Sequence, residues 1–167
     1  LLDARDVDGA PRPDVTFVDP YPALLDSLVT DHDREHVVVR TARTQDLDVA
    51  AIGELQRGDV LFVDSTHVAK PGSDVNHLFF HILPALQAGV IVHLHDIFPR
   101  FEYPKPWILE RRGWTEQYVL RAFLQFNDAF RILYWPTLLN EIDQERAWAP
   151  YPTTTIFGGS IWLQKVR

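Results

Sequence analysis

The sequence predicts an α/β domain whose strands form a mostly parallel sheet. Short apolar runs alternate with amphipathic segments along the 167 residues, which is the pattern of successive βαβ units. Two of the apolar runs end directly in an acid, Asp19 and Asp64, at the strand end where α/β sheets carry their functional side chains. With 46% hydrophobic residues the chain can form one core, so we expect residues 1–167 to be a single domain.

Apolar runs bounded by turn-forming residues predict the strands of this sheet. They are Val15 to Val18, His36 to Arg40, Val60 to Val63, Val90 to Leu94, Phe130 to Trp135 and Ser160 to Lys165. Three consecutive valines at positions 37–39 make the second run strongly β-branched, which favours an extended backbone. The last run could pair antiparallel to its neighbours.

Apolar residues at helical spacing predict the segments that connect these strands. The clearest helix runs from Asp74 to Ala88, with Ser73 as its predicted cap and Gly89 at its end. Shorter helices are predicted over Ala23 to Val29 and Ala50 to Leu55. In a further helix the apolar face would carry Tyr118, Val119, Ala122, Phe123 and Phe126.

The composition argues against several classes of function. A net charge of -7 and a pI near 5.4 argue against nucleic acid as a partner, because such proteins present a basic face to the phosphates. The chain has no cysteine, so neither a disulfide framework nor a thiolate metal site is expected. No apolar run is long enough to span a membrane, and the first residues lack a signal-peptide pattern. We therefore expect a cytoplasmic protein without a nucleic-acid or membrane partner.

Polar side chains follow the predicted strands at the edge where open α/β sheets bind ligands. Asp19 could accept hydrogen bonds from both hydroxyls of a ribose through its two carboxylate oxygens. The alternative is that Asp19 only starts the turn before Pro20, as acids commonly do.

A second group of polar residues follows the third and fourth predicted strands. Asp64, His95 and Asp96 offer the oxygen and nitrogen ligands that Mg²⁺, Mn²⁺ or another divalent cation could use. Alternatively, these groups only hydrogen-bond one another and the loops, because buried charges are normally paired. His67, with an ordinary pKa near 6.5, could take a proton from a substrate hydroxyl, or it could be a solvated loop histidine.

Aromatic residues are frequent in and just after the loop from Ile97 to Gly113. They could line a substrate pocket or pack this long loop onto the sheet. They are Phe98, Phe101, Tyr103, Trp107 and Trp114.

Three separated blocks of sequence carry a family resemblance. They read FVDSTHVAKPGSDVN from Phe62, ILPALQAGVIVHLHDIFPRFEYP from Ile82 and WTEQYVLRAFLQFN from Trp114. Their order, with the GGS-W-L pattern of Gly158 to Leu163, resembles a bacterial group of class I methyltransferases that use S-adenosylmethionine. The resemblance covers most of residues 14–165, and it implies a Rossmann-like sheet.

The resemblance also implies a function and a set of site residues. The implied reaction is transfer of the methyl group of S-adenosylmethionine to a hydroxyl of a small molecule, such as a sugar or a natural product. Asp19 is similar to the acid that binds the cofactor ribose, and Gln45 and Asp46 lie in the loop that approaches adenine. The implied cofactor-binding residues are Asp19, Gln45, Asp46 and Asp64, the implied metal ligands are Asp64, His95 and Asp96, and the implied catalytic residues are His67 and Asp64.

One element of the family pattern has no counterpart in these 167 residues. Members of the family carry a strand and a glycine-rich cofactor loop ahead of the run at Val15 to Val18. Because methionine is absent even at position 1, we expect that the sequence starts inside a longer protein; the alternative is a degenerate remnant that no longer binds the cofactor. A metal-dependent hydrolase or oxygenase, and a non-catalytic binding domain, are the other functions left open.

Overall fold

The computed structural model describes residues 13–148 and 158–167, with the backbone alone at Trp148. The chain divides into two compact units, Leu1–Leu47 and Asp48–Arg167, each with its own sheet.

The first unit has two parallel strands joined by a helix. Strand β1 (Val15–Val18) pairs with β2 (Val37–Arg40), and helix α1 (Ala23–Leu28) lies between them in the chain. The backbone N–H of Asp19 donates to the carbonyl of Arg40 at 3.1 Å and continues the ladder by one residue. Both predicted strands and the predicted helix of this unit are confirmed.

The second unit contains a four-stranded sheet in the order β3-β4-β6-β5. The strands are β3 (Val60–Val63), β4 (Ile91–His95), β5 (Phe130–Tyr134) and β6 (Ser160–Lys165). Strands β3 and β4 are parallel, whereas β6 runs antiparallel to both of its neighbours, so β3, β4 and β5 share one direction. The predicted antiparallel final strand is confirmed. The predicted parallel character is confirmed in part, because two strand pairs are parallel and two are antiparallel.

The core of the second unit lies on one face of its two central strands. Val92 and Leu94 of β4 and Ile161 and Leu163 of β6 are fully buried on it, at 0% exposure. A fully buried side chain of this size contributes about 1.5–3 kcal/mol relative to an exposed one. This face therefore holds β4 and β6 together and fixes the position of the residues at the end of β4.

The helix that precedes β4 differs from its prediction. Ser73 caps α3 (Asp74–His77) by accepting a hydrogen bond from the N–H of Asn76, as predicted, but the next turn, Leu78–Ile82, is π-helical. Helix α4 (Leu83–Ala85) follows, and the helix stops three residues before the predicted end. Pro84 accounts for the π-helical turn, because it cannot donate the usual hydrogen bond and its ring crowds the preceding turn.

Five further helices complete the described part of the chain. They are α2 (Val49–Ile52), α5 (Lys105–Leu109), α6 (Glu116–Leu124), α7 (Pro136–Ile142) and α8 (Gln144–Trp148). The predicted apolar face of α6 is correct in part, because Val119 and Phe123 pack against the core. Phe126 lies beyond the helix end and is exposed, and the buried residues of the helix are Glu116, Gln117 and Leu120. Within residues 13–148 and 158–167, no helix is long and apolar enough to cross a membrane.

Candidate active site

Two parallel strands bring four of the predicted site residues to one edge of the sheet. Asp64 directly follows β3, and His67 lies three residues further on. His95 is the last residue of β4, and Asp96 follows it. Since Val63 and Leu94 are register partners, the two strands end side by side. At this edge His67 lies close to Asp64 and Asp96.

His67 is held by a carboxylate that the sequence did not suggest. Its Nδ1 lies 2.7 Å from Oε2 of Glu116, and both residues are almost fully buried, at 5% and 1% exposure. Its Nε2 lies 3.3 Å from Oδ1 of Asp64 and 3.8 Å from Oδ2 of Asp96. One ring nitrogen is therefore bound to a buried acid, and the other faces the two acids at the strand ends.

Several contacts hold the His67 ring in this orientation. The backbone N–H groups of Thr115 and Glu116 donate to the carbonyl of His67 at 2.8 and 3.1 Å. The hydroxyl of Ser65 accepts from the His67 N–H and donates to Oε2 of Glu116, both at 2.9 Å. The Trp114 ring packs on the imidazole with a centroid separation of 4.3 Å. The backbone of His67 has a left-handed φ of 59°, a conformation that is strained for any residue other than glycine. The hydrogen bonds to its backbone and side chain hold His67 in this conformation.

The pKa of His67 reflects the balance between burial and these acids. Burial alone lowers the pKa, but the hydrogen bond and charge of Glu116, followed by the charges of Asp96 and Asp64, outweigh it. The net result is a pKa raised above its ordinary value of 6.5. His67 therefore gains a proton more readily than a solvated histidine does, which suits a group that must receive one.

The end of β4 is fixed by a close backbone approach. The N–H of Asp96 donates to the carbonyl of Gly159 at 2.6 Å. A Cβ atom at Gly159 would lie 2.6 Å from the ring of Phe98, so a larger residue at this position would have to displace that ring. The backbone of Asp96 adopts φ 54°, which turns the chain out of the sheet at this position.

The predicted metal site receives no support from this geometry. Nε2 of His95 lies 3.5 Å from Oδ1 of Asp96, but Asp64 contacts His67 instead. Across the described ranges, no group of three or more histidine, aspartate or glutamate side chains is arranged to hold a metal ion. A cation on Asp64, His95 and Asp96 remains a sequence-based prediction.

Asp19 lies in the first unit and forms the predicted turn. Its Oδ1 accepts a hydrogen bond from the N–H of Tyr21 at 2.7 Å, as a turn-starting acid does. Its Oδ2 makes no hydrogen bond within the described part of the chain, so this oxygen can still accept a ligand hydroxyl. Ribose binding by Asp19 fits this arrangement and remains a prediction.

Gln45 and Asp46 form part of a short 3₁₀ turn, Thr44–Asp46, in the first unit. Both carboxylate oxygens of Asp46 bind Arg43, at 2.8 Å from Nε and 2.7 Å from Nη2. This hydrogen-bonded pair lowers the pKa of Asp46. A bidentate pair explains Asp46 without a ligand, and the assignment of Gln45 and Asp46 to an adenine site stays a prediction.

Glu116 is the site residue that sequence reasoning missed. It is the first residue of α6, where an acid is expected to do no more than favour the helix N-terminus. A signal was nevertheless present, because Glu116 lies four residues before the buried Leu120 and so falls on the apolar face of the helix. An acid on such a face needs a buried partner, and His67 is that partner.

The aromatic residues after β4 have divided roles. Phe98 packs edge-on against Trp107, and Phe101 packs against Trp135, so these two stabilise the loop. Tyr103, Trp107 and Trp114 line a cavity of about 350 Å³, together with Arg111, Arg112 and other residues. The packing interpretation is confirmed for Phe98 and Phe101, and the substrate-pocket interpretation stays a prediction for Tyr103, Trp107 and Trp114.

One comparison with known protein families bears on this site. A family model described as a methyltransferase domain matches residues 1–97. The matched range includes Asp19, Asp64, His67 and Asp96, and it ends before Glu116 and the aromatic cavity. No curated protein matches the chain.

Proposed function

Because the chain belongs to the methyltransferase-domain family, we propose that it transfers the methyl group of S-adenosylmethionine to a hydroxyl oxygen of a small molecule. The observation that supports this proposal most directly is the buried pair of His67 and Glu116, with Nδ1 and Oε2 2.7 Å apart. Oxygen methylation needs a group that removes the hydroxyl proton, and this pair provides one at the edge of the sheet where α/β enzymes bind their ligands.

Glu116 determines which nitrogen of His67 can act as the base. The Nδ1–H donates to Glu116, which leaves Nε2 free to accept a proton in the neutral ring. S-adenosylmethionine, when bound, supplies an electrophilic methyl group on a sulfonium. In such a transfer Nε2 of His67 would accept the hydroxyl proton, and the demethylated sulfide would be the leaving group. Glu116 and Asp96 stabilise the imidazolium that results.

Asp64 connects the base to solvent. Its Oδ1 lies 3.3 Å from Nε2 of His67, while its side chain is 59% exposed. It can therefore take the proton from the imidazolium and release it to water, which restores the base for the next turnover. This role keeps Asp64 among the catalytic residues without a metal ion.

Asp19 is the residue of the first unit that we propose binds the ribose of the cofactor. Its second oxygen accepts no hydrogen bond from the described residues, and Asp19 lies at the carboxyl end of β1. A carboxylate at this place suits a pair of ribose hydroxyls. Gln45 and Asp46 are the proposed adenine contacts, and the sequence resemblance is what supports them.

Two other functions are less well supported. A metal-dependent hydrolase or oxygenase would need a cation site, and the described residues offer no three-ligand group for one. A non-catalytic binding domain would not need a buried acid to orient a histidine beside two further carboxylates.

The proposal is tested by methyl transfer from labelled S-adenosylmethionine to a panel of small hydroxyl compounds, using the intact protein. We expect transfer by the wild type and a rate lower by about 10²–10⁴-fold in His67→Ala. His81→Ala is the matched control, because His81 is an exposed histidine outside the site. Absence of transfer from every compound, or an unchanged rate in His67→Ala, would contradict the proposal.

A further inference from the structure

A cavity of about 350 Å³ lies beside the His67 site in the second unit. Pockets for small ligands span about 300–1,000 Å³, so this one suits a small molecule. Its principal lining residues are Tyr103, Trp107, Arg111, Arg112, Trp114 and Tyr118. None of them falls in the range matched by the methyltransferase-domain family, so that match does not say what binds here.

The walls of the cavity favour a flat ligand. Four aromatic rings surround it, and the Trp107 and Trp114 rings meet nearly edge to face, at 5.1 Å and 81°. Tyr103 lies almost parallel to Trp107, at 27° and 6.5 Å between centroids. Rings arranged in this way present both faces and edges, which are the surfaces on which another aromatic ring stacks.

The charge of the cavity favours an anion. The lining residues include two arginines and no acid. The Arg112 guanidinium lies over the Trp107 and Trp114 rings, 4.2 and 5.2 Å from their centroids. Because Arg112 already occupies these aromatic faces, they do not attract a cationic ligand.

The two arginines differ in how far their charges are neutralised. Arg112 shares its charge with Glu110, whose Oε2 lies 2.8 Å from Nε. The side chain of Arg111 forms no ion pair with the part of the chain that the structure describes. Glu102, the other nearby acid, accepts a hydrogen bond from the Tyr118 hydroxyl at 3.2 Å. A guanidinium in the cavity therefore remains available for a carboxylate or phosphate.

The cavity lies next to the base through Trp114, and His67 itself is not one of its lining residues. Trp114 lines the cavity and packs on His67, with 4.3 Å between ring centroids. We propose that this cavity is the acceptor site, and that its ligand is a planar aromatic ring that carries a hydroxyl and an anionic substituent. The assignment as acceptor site rests on the function proposed above, whereas the binding preference does not depend on it.

Binding is tested on the intact protein without cofactor, with three probes of similar size. They are 4-hydroxybenzoate, 4-hydroxybenzamide, which lacks the charge, and trans-4-hydroxycyclohexanecarboxylate, which lacks the planar ring. We expect 4-hydroxybenzoate to bind in the millimolar range or tighter and each of the other two to bind about tenfold or more weakly. No binding of 4-hydroxybenzoate, or equal binding of all three probes, would overturn the proposal.

Variants of the arginines identify the place of binding. We expect Arg111→Gln and Arg112→Gln each to weaken 4-hydroxybenzoate about tenfold or more while leaving 4-hydroxybenzamide nearly unchanged. Arg121→Gln is the control, since Arg121 is an exposed arginine on α6 that does not line the cavity. If Arg112→Gln unfolds, Arg111→Gln still decides the point. An unchanged affinity for 4-hydroxybenzoate in Arg111→Gln would show that the anion binds elsewhere.

Methyl transfer to 4-hydroxybenzoate separates this proposal from the function on which it rests. If the probe binds as expected but no methyl group is transferred to any hydroxyl compound, the methyltransferase proposal fails and the aromatic-anion site stands. If methyl groups are transferred to other hydroxyl compounds at rates that Trp107→Leu and Arg111→Gln leave unchanged, the cavity is not the acceptor site.

Discussion

Glu116 and His67 are separated by 49 positions in the sequence and share one short hydrogen bond in the fold. The sequence around His67 does not predict Glu116 as its partner, because the contact depends on the packing of α6 against the loop after β3. Asp64 and Asp96 were predictable, since a strand end can be read from the sequence. At the scale of single residues, then, the strand-end groups could be predicted, whereas the pairing of Glu116 with His67 could not.

The ribose assignment of Asp19 can be tested on its own. We expect Asp19→Ala to weaken the binding of S-adenosylmethionine by about tenfold or more, because a hydrogen-bonded charged acceptor is lost. Isothermal calorimetry on the intact protein measures this. Asp26→Ala is the control, since Asp26 is an exposed acid on α1. Equal affinity in Asp19→Ala and Asp26→Ala would leave Asp19 as a turn residue only.

The strands followed their predictions more closely than the helices did. An apolar run between turn residues predicts a strand well, and all six predicted strands of the chain match those of the structure within two residues at each end. The regularity of a helix depends on details that periodicity does not carry, such as the missing N–H of Pro84. Helices α5, α7 and α8 were missed because they are only five to seven residues long, too short to show an apolar stripe.

The junction before β4 depends on glycine at position 89. Gly89 has φ 100°, and an added Cβ would lie 2.7 Å from Cβ of Arg57. We expect Gly89→Ala to lower the free energy of unfolding by about 2–4 kcal/mol, from backbone strain and steric crowding together. Denaturant unfolding measures the change.

Gly72→Ala provides the matched control for this junction. Gly72 also has a positive φ, 71°, but an added Cβ there would meet no atom within 4 Å. We expect Gly72→Ala to cost about 1 kcal/mol, from backbone strain alone. Equal losses in the two variants would mean that Arg57 does not crowd position 89.

The stability of the whole molecule should depend on pH through His93. This buried residue of β4 stacks on Phe62 at 4.3 Å and meets Trp162 edge-on at 4.5 Å. Its Nδ1 finds no hydrogen-bond partner in the described part of the chain. Burial, with a smaller effect of His95, lowers the pKa of His93 to about 4. The folded protein therefore keeps His93 neutral under conditions in which the unfolded chain would protonate it.

The sign of this effect follows from proton linkage. As the pH falls from about 6.5 towards 4, the unfolded chain takes up a proton that the folded protein does not, so stability is lost over this window. The loss attributable to His93 is at most about 3 kcal/mol. We expect His93→Phe to reduce the acid-dependent part of the loss, as measured by urea unfolding at several pH values. A pH dependence identical in wild type and His93→Phe would contradict this account.

His67 contributes to stability with the opposite sign. Because its pKa is raised in the folded state, its stabilising contribution is complete below about pH 6.5 and is lost as the pH rises through the folded-state value. The two histidines therefore act in adjoining pH windows, and together they favour a stability maximum in the slightly acidic range.

The central claim is that Glu116 orients and tunes His67 as the base for methyl transfer. The pH dependence of the single-turnover methyl-transfer rate in wild type and Glu116→Gln tests it most directly. We expect the wild-type rate to rise with pH through a pKa above 6.5, because Nε2 must be unprotonated to accept the hydroxyl proton. In Glu116→Gln the neutral amide no longer stabilises the imidazolium, so the rise should move to lower pH while the plateau rate falls about tenfold or more. A wild-type rate that does not change between pH 5 and 9, or a Glu116→Gln profile that coincides with that of the wild type, would contradict the claim.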